Sequence, residues 1–194
     1  MHNPIKAHLL DALRPQVPPM TTRTDLMVTW QDELYLADRL CGRLLADGLH
    51  AGNTIIVTVS TDYSAWIGQY LRHQLSHDGE ICDGFGVDVP YPDQAFDSTF
   101  AHNIRTMFAM HAGDIDGKTI LLVEAGVIRG GNYATLVDFI RNDIKRVEDI
   151  NTLALYENKG SRFKSDYVGR YYDDATEDLT FWWERPNNHW RRNE

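Results

Sequence analysis

One acid and one loop carry the most readable chemistry in the chain. Glu124 follows an apolar run, Thr119 to Val123, and precedes Gly126 to Asn132, a stretch with three glycines and an arginine. Free amides where a glycine loop opens a helix attract anions, phosphate most of all. Gly130 and Gly131 keep such a cradle open, Asn132 offers an amide donor and Arg129 a charge-assisted one. The stretch is a candidate phosphate cradle with an acid beside it. The blander alternative is a steric glycine turn with a solvated acid capping it. A second acid, Asp62, lies in Ser60-Thr61-Asp62-Tyr63. Turns favour aspartate on their own account, and magnesium bridging to a phosphate is the functional reading. His73 and His77 are four apart, as two metal ligands on one helix face would be, but no H-E-x-x-H surrounds them and no metal site is expected there. No Ser-His-Asp or Cys-His set is placed by a motif.

The elements that must hold these residues can be read from periodicity. Thr119 to Val123 is short and β-branched enough for a buried strand, and Tyr133, Leu136, Val137 and Ile140 recur at helical spacing, continuing to about Arg146. Strand, glycine loop and helix follow in order. Upstream, Thr29 with Asp32 marks a helix start, Leu36, Leu40 and Leu44 share a face with Ala37, Cys41 and Leu45, and Gly48 ends the helix. Thr54 to Val59 reads as a second buried strand and Ser64 to His77 as the helix after its turn. Ile81 to Val89 is a further strand candidate, Pro90 to Phe100 an exposed excursion, and Ile104 to Met110 a strand or short helix. Thr152 to Tyr156 is another strand, Glu157 to Asp174 reads as polar and irregular, and Leu179 to Trp183 as a last strand. Strands alternating with helices predict an α/β fold with a mostly parallel sheet flanked by helices. The domain covers 25–186, between a Pro-rich arm (1–24) and a polar tail (187–194). Two loops at one sheet edge would then face a two-lobed anionic ligand.

With 194 residues and 43 % hydrophobic residues the chain can build one real core. A net charge of −9 argues against a nucleic acid or an anionic membrane as partner, while leaving room for a local basic pocket. Cys41 and Cys82 form no metal or redox pattern and read as buried thiols. No apolar run approaches a membrane span, and a cytoplasmic location is the expectation.

Four collinear segments resemble the type I phosphoribosyltransferases, closest to the xanthine/guanine salvage branch. V-T-W-Q-D-E-L-Y-L-A-D-R-L-C-G-R-L-L-A-D-G resembles the family's opening helix, and I-I-V-T-V-S-T-D-Y-S-A its pyrophosphate strand and loop. I-L-L-V-E-A-G-V-I-R-G-G-N resembles the phosphoribosyl pyrophosphate signature: an apolar run, two acids, three residues and Thr-Gly-x-Thr. Y-E-N-K-G-S-R-F-K-S-D-Y-V-G followed by L-T-F-W-W-E resembles the base-site segment. Together they span about 30 to 184, and the fold implied is a type I phosphoribosyltransferase core with a small C-terminal hood.

The resemblance implies roles as well. Glu124 would hold ribose as the catalytic-site acid. Arg129, Gly130, Gly131 and Asn132 would hold the 5′-phosphate, and Ser60, Thr61 and Asp62 the pyrophosphate. Asn158, Lys159, Trp182 and Trp183 would lie near the base. Magnesium would accompany phosphoribosyl pyrophosphate if that site works, and a homodimer is the family expectation. The departures are specific. Glu124 is followed by Ala125 where the family has a second acid, and the turn after Ser60 lacks the family's glycines and arginine and carries Asp62 instead. Asn158 stands where the family usually has a lysine, with Lys159 one place on, and Asp178 falls near the family's stacking aromatic. Two functions follow. One is transfer of a phosphoribosyl group to a purine-like base with release of pyrophosphate. The other is a non-catalytic nucleotide or sugar-phosphate binding protein on the same fold.

Overall fold

The structure is a computed structural model that describes residues 24–59, 64–77, 79–89, 96–144, 147 and 149–182. Its centre is a five-stranded sheet of β2 (Thr54–Val59), β3 (Gly84–Val87), β4 (Thr119–Val127), β5 (Asp149–Asn158) and β6 (Tyr167–Tyr172), in the order β3-β2-β4-β5-β6. Every pairing in it is parallel. Parallel strands need long crossovers, and helices supply them. β2 passes through α2 (Ala65–Leu75) to β3, and β3 passes through α3 (Ser98–Met110) and α4 (Ala112–Ile115) to β4. β4 passes through α5 (Gly131–Asp143) to β5.

Side-chain alternation splits the core into two layers. Ile56, Leu121, Val123, Leu153 and Leu155 face α2 and the opening helix α1 (Trp30–Ala46), which bury Leu40, Leu44, Ile67, Leu71 and Leu75. Ile55, Val57, Ile120, Leu122 and Ala154 face the layer of α3 and α5, with Ile104, Phe108, Leu136, Val137 and Ile140. A strand buried on both faces reads as a continuous apolar run, which is why β2 and β4 were legible. α1 begins with the expected capping box: Thr29 Oγ1 accepts from the Asp32 amide at 3.2 Å, and Asp32 Oδ2 accepts from the Thr29 amide at 2.9 Å.

A two-stranded parallel ribbon, β1 (Thr24–Val28) with β7 (Glu177–Phe181), forms the hood. The Trp182 indole N–H donates to Glu33 Oε2 at 2.7 Å and fastens the ribbon to the first turn of α1. Phe181 meets Tyr156 edge-on at 5.4 Å and lies over Gly126, where a Cβ would stand 3.9 Å from its Cζ.

Several boundaries differ from the sequence reading. β4 runs through Glu124 to Val127, because Ala125 and Val127 remain buried and keep the pleat going. Residues 98–110 form one helix, capped by Asp97, whose side chain accepts from the Thr99 and Phe100 amides. β6 occupies part of the stretch expected to be irregular, and β1, which the sequence reading did not include, starts at Thr24, where the expected arm meets the domain. Cys41 and Cys82 are free and buried, as expected. No helix among the described residues is long and apolar enough to cross a membrane.

Candidate functional site

The chain turns outward from β2 to β3 on one side and from β4 to β5 on the other, so the sheet's switch point lies between β2 and β4. Ligands of open α/β sheets bind in the crevice beyond the carboxyl ends of strands at such a point. Two side chains meet there. Ser64, at the start of α2, donates its hydroxyl to Glu124 Oε1 at 2.8 Å, and the Ala125 amide donates to both Ser64 Oγ (3.0 Å) and Glu124 Oε1 (2.9 Å). Burial pushes the Glu124 carboxyl up to about 7, against the Ser64 hydroxyl and the Ala125 and Gly126 amides, which favour its charged form. One oxygen of Glu124 is thus spent on the protein. Ser64 was legible only as a helix start; its role comes from a contact 60 residues away in sequence.

The loop after β4 turns into α5 at Gly130, whose φ of 72° is left-handed and whose position caps the helix without a side chain. The first amides of a helix have no partner within it, so a ligand anion can take them. A Cβ on Gly130 would sit 2.5 Å from Ser161 Oγ and 2.6 Å from Phe163 Cβ. A Cβ on Gly131 would meet nothing within 4 Å. Gly130 is therefore pinned against the 161–163 loop while Gly131 faces open space. Tyr133 anchors the helix from beneath: its hydroxyl donates to the Leu122 carbonyl at 2.7 Å, between strands that bury it. Arg129 is exposed at the rim.

The residues expected at the base end divide. Asn158 is buried, and its Oδ1 accepts from the Gly160 amide at 2.9 Å, so its carbonyl shapes the turn after β5. The Lys159 side chain is exposed, while its backbone is fixed to the Tyr172 carbonyl at 2.8 Å. Trp182 is half-exposed; it meets Trp30 edge-on at 5.5 Å and gives its N–H to Glu33. Ser60, Thr61, Asp62 and Trp183 lie outside the described residues.

Magnesium prefers a near-octahedral shell of hard oxygens, usually one or two carboxylates plus phosphate and water. Among the described residues no three potential ligands cluster. Oε1 of Glu124 is engaged by Ser64 and the Ala125 amide, and Ala125 offers no side-chain oxygen. Two surface grooves, of about 330 Å³ beside His50 and His77 and about 170 Å³ beside α2 and β3, touch neither Glu124 nor residues 129–132.

The sequence matches no protein-family model and no curated protein. Its architecture, however, is shared with solved structures. A purine phosphoribosyltransferase from Pyrococcus horikoshii Ot3 superimposes with a TM-score of 0.60 at 15 % identity, over 83 % of this chain and 94 % of that one. The fold is that of the type I phosphoribosyltransferases. A Helicobacter pylori xanthine-guanine-hypoxanthine phosphoribosyltransferase gives 0.56 at 15 % identity, over 83 % and 94 % of the two chains. A hypothetical protein from Neisseria gonorrhoeae with bound ppGpp gives 0.63 at 12 % identity, over 86 % and 92 %. At these identities the likeness is one of fold.

Proposed function

We propose that this protein binds a purine-like nucleotide by its 5′-phosphate and ribose on a phosphoribosyltransferase scaffold, without efficient transfer of the sugar. The observation that carries this reading is the arrangement at the switch point. A helix N-terminus with no side-chain cap opens at Gly130 and Gly131, and a single acid, Glu124, lies on the same strand end. The cradle takes the phosphate through the first amides of α5, with Arg129 and Asn132 beside it. Glu124 Oε2 takes a ribose hydroxyl. Ala125 gives no second acceptor, so the sugar clamp is half of the family's. The neighbour with bound ppGpp supports nucleotide binding on this fold.

The second reading is the family reaction in altered form: a base displaces pyrophosphate from phosphoribosyl pyrophosphate at the anomeric carbon. It is favoured by the fold of the purine phosphoribosyltransferase neighbours. Positioning and electrostatic stabilisation carry most of such a displacement, so an altered site can retain some rate.

Calorimetric titration with GMP and with phosphoribosyl pyrophosphate, each with and without magnesium, separates the two. GMP binding at micromolar Kd, roughly −8 kcal/mol, that does not need magnesium is the expected result. Magnesium-dependent binding of phosphoribosyl pyrophosphate tighter than that of GMP would favour the transferase. Binding of neither would remove both.

A further inference from the structure

β1 uses only one of its two edges. In the hood it pairs with β7 alone, from Thr24 opposite Glu177 to Val28 opposite Phe181. The Thr24 amide donates to the Thr176 carbonyl at 2.8 Å, and the Val28 carbonyl accepts from the Trp182 amide at 3.0 Å. Residues that face a neighbouring strand alternate with residues that face away from it. Thr24, Leu26 and Val28 therefore direct their backbone groups at β7, while Asp25 and Met27 direct theirs outward. Among the described residues nothing pairs with that outer edge.

The side chains add an apolar surface to the open edge. Val28 is buried and Leu26 half-buried, and Met27, next to both, is 66 % exposed. Trp30 and Trp182, whose rings meet at 5.5 Å, form a part-exposed rim at the Val28 end. Proteins that keep such edges apart place lysine, proline or a bulge on them. Thr24–Val28 has neither residue and pairs with β7 without a break.

The edge is also complementary to itself. With Leu26 on a twofold axis and two β1 strands antiparallel, Asp25 stands opposite the partner's Met27, and Met27 opposite the partner's Asp25. All four residues are outward-facing, so each pair exchanges amide and carbonyl bonds, and no charge lies directly opposite its like. The neighbouring registers fail. Centring on Asp25 sets two carboxylates against each other. Centring on Met27 brings Asp25 opposite the partner's Thr29, whose amide is already given to Asp32 in the cap of α1.

We infer that β1 is the interface of a twofold dimer, in which two copies of this chain pair their β1 strands antiparallel about Leu26 and join their hoods into one sheet. Leu26 then meets its own copy at the closer, non-hydrogen-bonded position. The net charge of −9 on each chain opposes the approach at long range, so association is expected to be micromolar and to strengthen with salt. The ribbon that carries Phe181 over Gly126 is braced by this pairing as well as by the Trp182–Glu33 bond.

The test is sedimentation equilibrium of the full chain over a 100-fold range of concentration, on the wild type, Met27→Glu and the double variant Asp25→Lys/Met27→Glu. The wild type is expected to pass from monomer to dimer. Met27→Glu sets an acid opposite the partner's Asp25 and should weaken the dimer at least 10-fold. The double variant sets lysine opposite glutamate twice and should bring the affinity back to within threefold of the wild type. Asp25 and Met27 are exposed, so both variants are expected to keep the wild-type circular dichroism spectrum. Hydrogen exchange at the Asp25 and Met27 amides should slow in step with dimer formation. A wild type that stays monomeric overturns the proposal, as does a dimer that Met27→Glu leaves intact or the double variant fails to restore. Protection of the two amides in a monomer at every concentration assigns the edge to another segment of the same chain, and exchange that never slows leaves it open; either result overturns the proposal.

Discussion

Ser64 Oγ and Glu124 Oε1 stand 2.8 Å apart and join the start of α2 to β4 at the mouth of the site. The hydroxyl donates, so it favours the charged carboxylate, while burial holds the proton on and brings the group to about 7. Glu124 therefore changes charge within the neutral range. A carboxylate is the better acceptor for a ribose hydroxyl, so GMP binding is expected to strengthen as pH rises from 6 to 8. The phosphate's own ionisation near pH 6 adds a rise in any protein. Glu124→Gln isolates the side chain: its pH profile should be flatter than the wild type's, and its affinity at pH 8 about 10-fold lower, a loss of roughly 1.4 kcal/mol. Titrations at three pH values check this, and parallel profiles would remove Glu124 from the binding site.

Glu33 gives the second prediction, on stability. It is fully buried, receives the Trp182 N–H on one oxygen and has no hydrogen-bond partner for the other. Burial raises its carboxyl to about 7, opposed by Trp182 and assisted by Asp32. Between the unfolded value, near 4.5, and about 7 the folded state binds more protons than the unfolded one. The stability this group contributes is therefore present at low pH and is lost as pH rises through about 7. Glu33→Gln copies the neutral form. Relative to the wild type it should gain on the order of 2–3 kcal/mol in going from pH 5 to pH 8, because a tenfold change in proton affinity is worth about 1.4 kcal/mol. Urea unfolding of both proteins at the two pH values measures the difference; a constant gap would mean Glu33 stays charged throughout.

What the sequence disclosed and what it hid follow from the range of the interactions. β2, β4 and β5 were visible because both faces are buried, and α1 because its capping box and apolar stripe are local. β6 was hidden by its position at the sheet edge. In Tyr167 to Tyr172 only the first and last residues are fully buried, and Gly169 is there because a Cβ would come 2.7 Å from the Leu155 carbonyl. The hood was half visible, since β7 was read as a strand. Its partner β1 is about 150 residues away, and no local pattern specifies that pairing. At the candidate site, the glycine turn that opens α5 and the acid that follows the apolar run of β4 were legible from residue type and spacing. The Ser64–Glu124 contact, the Glu33–Trp182 bond and the packing of Ser161 and Phe163 on Gly130 were not, because each joins elements that only the fold brings together.

Gly130 supports the third prediction. Its φ of 72° strains any L side chain, and the space for a Cβ is filled by Ser161 and Phe163. Gly130→Ala should destabilise the chain by roughly 2 kcal/mol, the sum of the left-handed strain and the displaced loop. It should also weaken GMP binding more than 10-fold, because the loop carrying Arg129 has to shift. Gly131→Ala is the control. A Cβ there meets nothing and φ is not positive, so stability should hold or rise slightly in this first helical turn. If Gly130→Ala binds GMP like the wild type, the cradle does not depend on this approach.

The fourth prediction concerns the missing acid. Restoring the family's acid pair by Ala125→Asp looks like a route to stronger sugar binding, but the surroundings oppose it. Ala125 is 4 % exposed and belongs to the core layer beneath α1 and α2. Its amide already supports Ser64 and Glu124. A second carboxylate would be buried in apolar surroundings next to an acid whose own proton is already held on, and like charge would raise both further. Ala125→Asp is therefore expected to cost roughly 3 kcal/mol or more, and to leave binding of phosphoribosyl pyrophosphate no stronger with magnesium than without it. Thermal melts and the same calorimetric titrations decide the matter. A folded Ala125→Asp protein that gains magnesium-dependent binding would show that only this side chain separates the site from the family's sugar clamp. A destabilised protein with no such gain would mean that the core around Ala125 has been rebuilt for a single acid.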